Sequence, residues 1–355
     1  MKAWHIENLE RIKLVESILP KKEGEIKLKM SKVAISSTDF AYFASDAPDK
    51  NAELTVPGHS AVAYMSEDDP SVGLKMGARV VVSPFVRHEE HGVKKVRVLG
   101  VDENGLLSDF VSVPAENVYA LPDGIPDDEA IFAEYIALGN NVLNSLEADK
   151  GDFVVIVGEH LKHFHSREGG LFLQLGRNVG AVKFRTEGII IDDSLLALYY
   201  QMIPVLVDLD AEKLALAASW GVYYTLNPTY DNLERRVEEI TGGRMAECSV
   251  YVGDGVPFNT ALRLVKDKGE VVVAGYSVRS GHSIDVSVVL TKQLRLIGVA
   301  DGYGEMSSAI NLLANRIVKT DGLIASRINF DDVPEMVVQC AQYPYQYNKI
   351  VVSID

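Results

Sequence analysis

The densest run of chemically versatile side chains in this 355-residue chain begins at Gly158. The stretch GEHLKHFHSREGG (Gly158 to Gly170) places His160, His163 and His165 beside Glu159 and Glu168, and imidazoles and carboxylates at that density can hold a metal ion or contact phosphate. Their i, i+3, i+5 spacing gives a common ligand face on neither a helix nor a strand. The expectation is a solvated loop, and a metal-dependent lyase or epimerase using these histidines is the weakest functional reading. The run RHEEHG (Arg87 to Gly92) also carries two histidines and two carboxylates and reads as a hairpin tip in solvent. Only Cys248 and Cys340 are present, each inside an apolar element, so a four-cysteine zinc site is excluded and two buried, reduced thiols are expected.

A second set of residues points to nucleotide chemistry. The strand DFVVIVG (Asp152 to Gly158) should run directly into G-x-G-x-x-G if it carried the dinucleotide fingerprint, because the glycines let a pyrophosphate approach helix-terminal N–H groups. That turn is missing, and Arg167, Arg185 or the histidine loop would have to compensate. Asp208 closes the next convincing strand, PVLVDLD (Pro204 to Asp210). A carboxylate there accepts hydrogen bonds from ribose hydroxyls and repels a 2′-phosphate, favouring NAD over NADP; Asp210 serves equally well as the N-cap of the following helix.

The elements that must position these groups change character along the chain. The first 125 residues hold short β-like runs broken by Gly, Pro and Asp (EIKLKMSKVAIS, AVAYM, ARVVVSPF, KKVRVLGV, LSDFVSVP, VYALP), the pattern of a barrel or sandwich. From Asp127 apolar residues recur at helical spacing through DDEAIFAEYIALGNNVLNSL, with Pro126 and two acidic residues at its start. Beyond Asp152 strands alternate with helical segments (AEKLALAASWG, NLERRVEEITGG, PFNTALRLVKDKG), which predicts a parallel sheet covered on both faces. Two helices, EMSSAINLLANRIVK and DDVPEMVVQCAQY, and a final strand KIVVSID close the chain. Residues 159–203 divide in two ways: GGLFLQLGRNVGAVKFRTEG is an excursion and SLLALYYQM the helix after the first strand, or GGLFLQLGRNVG is that helix and AVKFRT an extra strand. The acidic end of VLVD favours the first.

Composition sets outer limits. The 47 % apolar and 24 % charged content are those of an ordinary globular protein, long enough for two domains. A net charge of −15, with basic pairs scattered at Lys21-Lys22, Lys94-Lys95 and Arg235-Arg236, argues against nucleic acid as a partner. No apolar run reaches the ~20 residues of a membrane span, and Met1 to Ser17 lacks the apolar core of a signal peptide. A cytoplasmic protein acting on a small-molecule substrate is expected.

Several strings resemble, in order and at family spacing, the medium-chain dehydrogenase/reductase superfamily, the zinc-type alcohol and polyol dehydrogenases. They are AISSTDFAYF (Ala34 to Phe43), VPGHS (Val56 to Ser60), GLKMGARVVV (Gly73 to Val82), NGLLSDFVSVPAENVYALPDG (Asn104 to Gly124) and AEYIALGNNVL (Ala133 to Leu143). The resemblance implies an α/β fold: a GroES-like β domain from residues 1–140 and 301–355, and a Rossmann doubly wound parallel sheet over 141–300 with an insertion around 159–192. It puts the active site between them and implies pairing through the strand near LRLIGVA into a homodimer or homotetramer.

The same resemblance implies the site and its losses. Ser36 stands where the family has a zinc-binding cysteine, and a neutral hydroxyl is a poor substitute for a thiolate. Ser60 replaces the glutamate beside His59, leaving His59 and Glu134 as the surviving ligand positions, so zinc is not expected. Asp39 would orient His59, His59 would act as general acid and Thr38 would relay its proton, with Glu134 either backing the site or lying on a helix surface. Gly158, Asp208, Gly253, Gly275 and Tyr276 fall where the family passes NAD or NADP. The expected function is a zinc-independent NAD(P)-dependent oxidoreductase for a small alcohol, polyol or carbonyl compound. The alternative is a non-catalytic relative kept for ligand sensing or partner assembly.

Overall fold

Apolar strands from both ends of the chain pair with one another, and the middle of the chain forms a sheet of its own. The computed structural model describes residues 1–8, 11–19, 23–36, 39, 55–158, 189–252, 256–275, 283–320, 322–342 and 349–354. In the first sheet the spatial order is Ser326–Asn329, Lys349–Ser353, Glu25–Ser36, Ser60–Met65, Arg79–Val82 and Val118–Ala120, with Phe110–Pro114 also paired to Glu25–Ser36. The last strand therefore lies against the long strand near the start, antiparallel to it. A hairpin at Lys2–Asn8 and Arg11–Glu16, not anticipated from sequence, packs beside this unit.

The second sheet has six parallel strands in the order Tyr224–Leu226, Ile203–Val207, Phe153–Val157, Ala246–Val252, Val265–Ala274 and Arg295–Val299. Starting at the third position, growing outward one way and then the other, this is the doubly wound arrangement whose ligands bind at the carboxyl ends of the strands, where the order reverses. The helix Ile189–Tyr199 packs on Phe153–Val157 and Ile203–Val207, so the crossover helix falls where the first division of 159–203 put it; the excursion lies outside the described residues.

One sequence expectation is corrected here, and one helix went unread. VKDKG, read as helix, belongs to the strand Val265–Ala274, because helix Phe258–Arg263 stops early and the chain pairs with Ala246–Val252 through a register irregularity. The segment before LRLIGVA holds a helix, Val286–Lys292, that its β-branched residues conceal. Its N-cap Asp285 accepts the N–H groups of Ser287 and Val288, and that cap outweighs weak propensity.

The linking element starts with a short helix, Asp127–Ala130, and continues as Ala133–Asn144 after a break at Ile131 and Phe132. Asp127 bonds Arg79 and Ser31 (3.2 Å to the hydroxyl), and Asp128 bonds Arg327 at 2.6 Å and Lys32, clamping the helix start to the β unit. One continuous core runs from Ala34, Val62 and Val81 through Phe132, Ile136 and Leu138 to Val154, Val250 and Val272. Helix Ala133–Asn144 is thus packed by both sheets, and residues on its first turn have a fixed place relative to each. Among the described residues no helix is long and apolar enough to cross a membrane.

Candidate active site

Register gathers the site. Ala34 faces Ser60 across one ladder, and Ser36 faces Lys349 across the next. Opposed residues share a face, as do alternate residues of one strand, so Ser36, Ser60 and Lys349 converge although they come from distant parts of the chain. Gly58 makes the local turn: its φ is +90°, and a Cβ would sit 2.6 Å from Val33 Cγ1, so only glycine fits. From that turn the Gly58 N–H donates to Asp39 Oδ1 at 2.8 Å, and the other carboxylate oxygen accepts the Ser36 N–H at 2.9 Å and the Ser36 hydroxyl at 3.2 Å.

His59 is fully buried between two carboxylates. Its Nδ1 lies 3.6 Å from Asp39 Oδ2, while its Nε2 lies 3.2 Å from Glu134 Oε1 and 3.3 Å from the Tyr135 hydroxyl. Glu134 and Tyr135 come from the first turn of the linking helix and are 2 % and 1 % exposed, so Glu134 belongs to the site and not to a helix surface. Beyond Glu134 stands Lys349, 3 % exposed, whose ammonium donates to Ser60 Oγ at 3.1 Å and lies 3.9 Å from Glu134 Oε1. The same nitrogen sits 3.5 Å from the centroid of the Tyr135 ring and 4.8 Å from that of Phe132, a cation–π seat that compensates part of its desolvation.

The result is an alternating chain of charge: Asp39, His59, Glu134, Lys349. Burial alone would strip the proton from His59, but the carboxylates of Glu134 and then Asp39 outweigh it and raise its pKa to about 9 against the opposing charge of Lys349. Burial likewise opposes ionisation of Asp39, yet the nearby His59 charge, with hydrogen bonds from the Gly58 and Ser36 N–H groups, holds its carboxyl below the usual range. The imidazole is therefore kept charged at neutral pH, a proton held for delivery.

The nucleotide side is sparser. Gly158 ends the central strand Phe153–Val157 and donates its N–H to Val207 O at 2.7 Å. Gly275, with φ +114° and open space where a Cβ would be, ends Val265–Ala274. Asp208 follows Ile203–Val207 as anticipated but is fully buried; its carboxylate is bound by Lys213 Nζ at 2.8 Å and by the Asp210 N–H at 2.8 Å. The geometry removes the reason for preferring NAD, because an adjacent ammonium neutralises the charge meant to repel a 2′-phosphate. Asp210 is the N-cap of Ala211–Ser219.

Thr38, Gly253, Tyr276, Arg167, Arg185 and the three histidines at 160, 163 and 165 lie outside the described residues. RHEEHG forms the hairpin Phe85–Glu90 to Val93–Val98, turning at His91 and Gly92, which have φ +53° and +77°. His88 Nε2 lies 3.2 Å from Glu103 in this hairpin, away from the site. Sequence reasoning missed Lys349 and Tyr135. The available signal was a lysine opening the otherwise apolar strand KIVVS, where a charge is costly unless it has partners.

Comparison with known proteins bears on the fold. Residues 22–123 match the family model described as the alcohol dehydrogenase GroES-like domain, and residues 196–315 match that of the zinc-binding dehydrogenases. An uncharacterized zinc-type alcohol dehydrogenase-like protein of Haemophilus influenzae is 23 % identical over 99 % of this chain and 98 % of its own length. The crystal structure of 2R,3R-butanediol dehydrogenase from Bacillus subtilis superimposes with a TM-score of 0.78 at 20 % identity, covering 100 % of this chain and 99 % of that one. A short chain alcohol dehydrogenase from Escherichia coli CFT073, complexed with cofactor NADH, has a TM-score of 0.78 at 17 % identity over 99 % of both chains. At these identities the solved structures speak to fold alone.

Proposed function

The chain belongs to the medium-chain dehydrogenase/reductase superfamily of alcohol and polyol dehydrogenase-like oxidoreductases, and from that premise we propose that it is a zinc-independent, NAD(P)-dependent oxidoreductase for a small alcohol, polyol or carbonyl compound. The observation that carries this reading is the buried His59 imidazole, with Nδ1 3.6 Å from Asp39 and Nε2 3.2 Å from Glu134, beside the helix that joins the two sheets. A bound nicotinamide would supply or accept the hydride; His59 would supply or take the proton with Asp39 fixing the ring, and the family resemblance assigns the relay to Thr38.

Zinc does not fit this donor set. Only His59 Nε2 and Glu134 Oε1, 3.2 Å apart, face one another as donors; the Ser36 hydroxyl is turned to Asp39, and the Lys349 ammonium lies 3.9 Å from Glu134 Oε1. Among the described residues no cluster of three or more His, Cys, Asp or Glu side chains is arranged to hold a metal. For the dinucleotide, Gly275 leaves the backbone approachable at one strand end, and the Lys213 ammonium beside Asp208 supports a reading without a preference between NAD and NADP.

The test is a titration with NADH and NADPH, following nicotinamide fluorescence. Saturable binding of one or both supports the reading, and no binding of either at about millimolar cofactor, beyond the usual KM range, removes it. That second outcome would favour a non-catalytic scaffold for ligand sensing or partner assembly. The sealed Asp208 and the absence of a glycine-rich turn after Gly158 are the observations in favour of that alternative.

A further inference from the structure

A charge at the far end of the chain completes a site that sequence assigns to its first half. Lys349 opens the final strand of the β unit, directly across the ladder from Ser36. Ser36 is the position at which the family resemblance implies a metal-binding cysteine. Instead of a thiolate and an ion, the described structure has a neutral hydroxyl turned to Asp39 and, on the neighbouring strand, an ammonium among Ser60 Oγ, Glu134 Oε1 and the faces of Tyr135 and Phe132.

Taking an ammonium out of water costs several kcal/mol unless charges and dipoles compensate it, and ion pairs far from any chemistry are cheaper to make at the surface. Here the compensation is assembled from four separate segments of chain. Asp39 and Glu134 carry two negative charges; His59 and Lys349 balance them. A cation in the place of Lys349 is what Glu134 would otherwise recruit from solution.

We propose that Lys349 is a catalytic residue: its ammonium takes the place of a metal ion in this site, excluding zinc and giving the substrate's oxygen its positive partner. This rests on the oxidoreductase reading above. In the reductive direction, hydride from a reduced nicotinamide adds to the carbonyl carbon and forms the new C–H bond, while the C=O π pair moves onto oxygen. The Lys349 N–H stabilises the developing alkoxide, and the His59 imidazolium supplies the proton that completes the alcohol, leaving neutral imidazole. The oxidative direction reverses each transfer. An ammonium aimed at developing negative charge in a water-poor site does the work of an oxyanion hole.

Two measurements on the chelator-stripped full chain test this, after circular dichroism establishes that each variant folds. The first titrates zinc into wild type, Lys349→Ala, Lys349→Met and Lys349→Arg. Removing a like charge beside Glu134 should strengthen zinc binding about tenfold or more in Lys349→Ala, and in Lys349→Met if the alanine variant does not fold, while Lys349→Arg stays at the wild-type level. Equal affinity across the series overturns the proposal, as does a stoichiometric zinc in wild type that His59→Ala abolishes.

The second assays a panel of small aldehydes and ketones with both reduced nicotinamides. Lys349→Met should lose about a hundredfold in kcat/KM with its nicotinamide dissociation constant unchanged, and Lys349→Arg should recover part of the loss. Undiminished kcat/KM in Lys349→Met overturns the proposal. If wild type turns over nothing in the panel, the oxidoreductase reading fails, and the zinc series alone decides whether Lys349 holds the cation position.

Discussion

At the scale of single residues, the site's behaviour follows from which groups keep their protons. The folded protein raises the His59 pKa from 6.5 to about 9. The stability this contributes is fully present below about 6.5 and is lost as pH rises through about 9. Histidine NMR should find one imidazole that stays protonated through pH 8 and titrates near 9, and its signal should vanish in His59→Gln; a resonance titrating at the ordinary value would contradict the clamp. Asp208 gives a separate prediction. If its partner is Lys213 and not a ribose, Asp208→Asn removes the carboxylate 2.8 Å from a buried ammonium and should lower stability in chemical denaturation by about 1–3 kcal/mol, with the ratio of NADH to NADPH affinity unchanged. A shifted ratio with intact stability would restore Asp208 as the cofactor determinant. Cys248 and Cys340, whose thiols burial pushes up, take no part in the chemistry.

At the scale of elements, helix Ala133–Asn144 carries Glu134 and Tyr135 and fixes them by close packing on two sides. A Cβ at Gly302 would lie 2.6 Å from the backbone at Ala137 and Leu138. Gly302→Ala therefore has no flexible neighbour to displace and should destabilise by about 1–3 kcal/mol, with lower activity as Glu134 moves. On the other side, Gly139 admits helix Ile189–Tyr199, whose Asp193 is fully buried with neither carboxylate oxygen hydrogen-bonded among the described residues. Desolvation raises the Asp193 pKa from 3.8 to about 8. Because the folded form holds that proton longer than the unfolded chain, stability should fall as pH rises from about 4 to 8, and Asp193→Asn should flatten the slope. An equal slope in both proteins would show that Asp193 has a partner. The core strands and the crossover order were legible in the sequence because they alternate or run apolar between turn residues. Helix Val286–Lys292 was not, since its stability comes from a cap and its residues favour strands.

At the scale of the whole molecule, the legible part of the site was the part written in one stretch: Asp39 and His59 with their glycine turn. Lys349 left only a faint signal, a charge opening an apolar strand, and its partners could not be read from it, because strand register alone brings it to Ser36 and Ser60. The Lys213 ammonium that meets Asp208 was equally hidden, a lysine five residues on that no strand-end rule considers. The edge of the parallel sheet suggests how copies associate. Among the described residues Arg295–Val299 has no strand beyond it, Leu296 is exposed, and Val286 and Leu290 on the preceding helix are exposed as well. An unpaired edge beside apolar surface invites a second copy, and we propose a homodimer through it. Sedimentation should give a dimer that Leu296→Lys dissociates; a monomeric wild type would count against the edge.

The most direct test of a metal-free crevice is turnover without metal. Protein stripped with chelator and verified zinc-free by elemental analysis is assayed for nicotinamide oxidation with small aldehydes and ketones while chelator remains present. The proton and charge network of Asp39, His59, Glu134 and Lys349 predicts an unchanged rate. Activity that is lost on stripping and returns with one equivalent of zinc would contradict it.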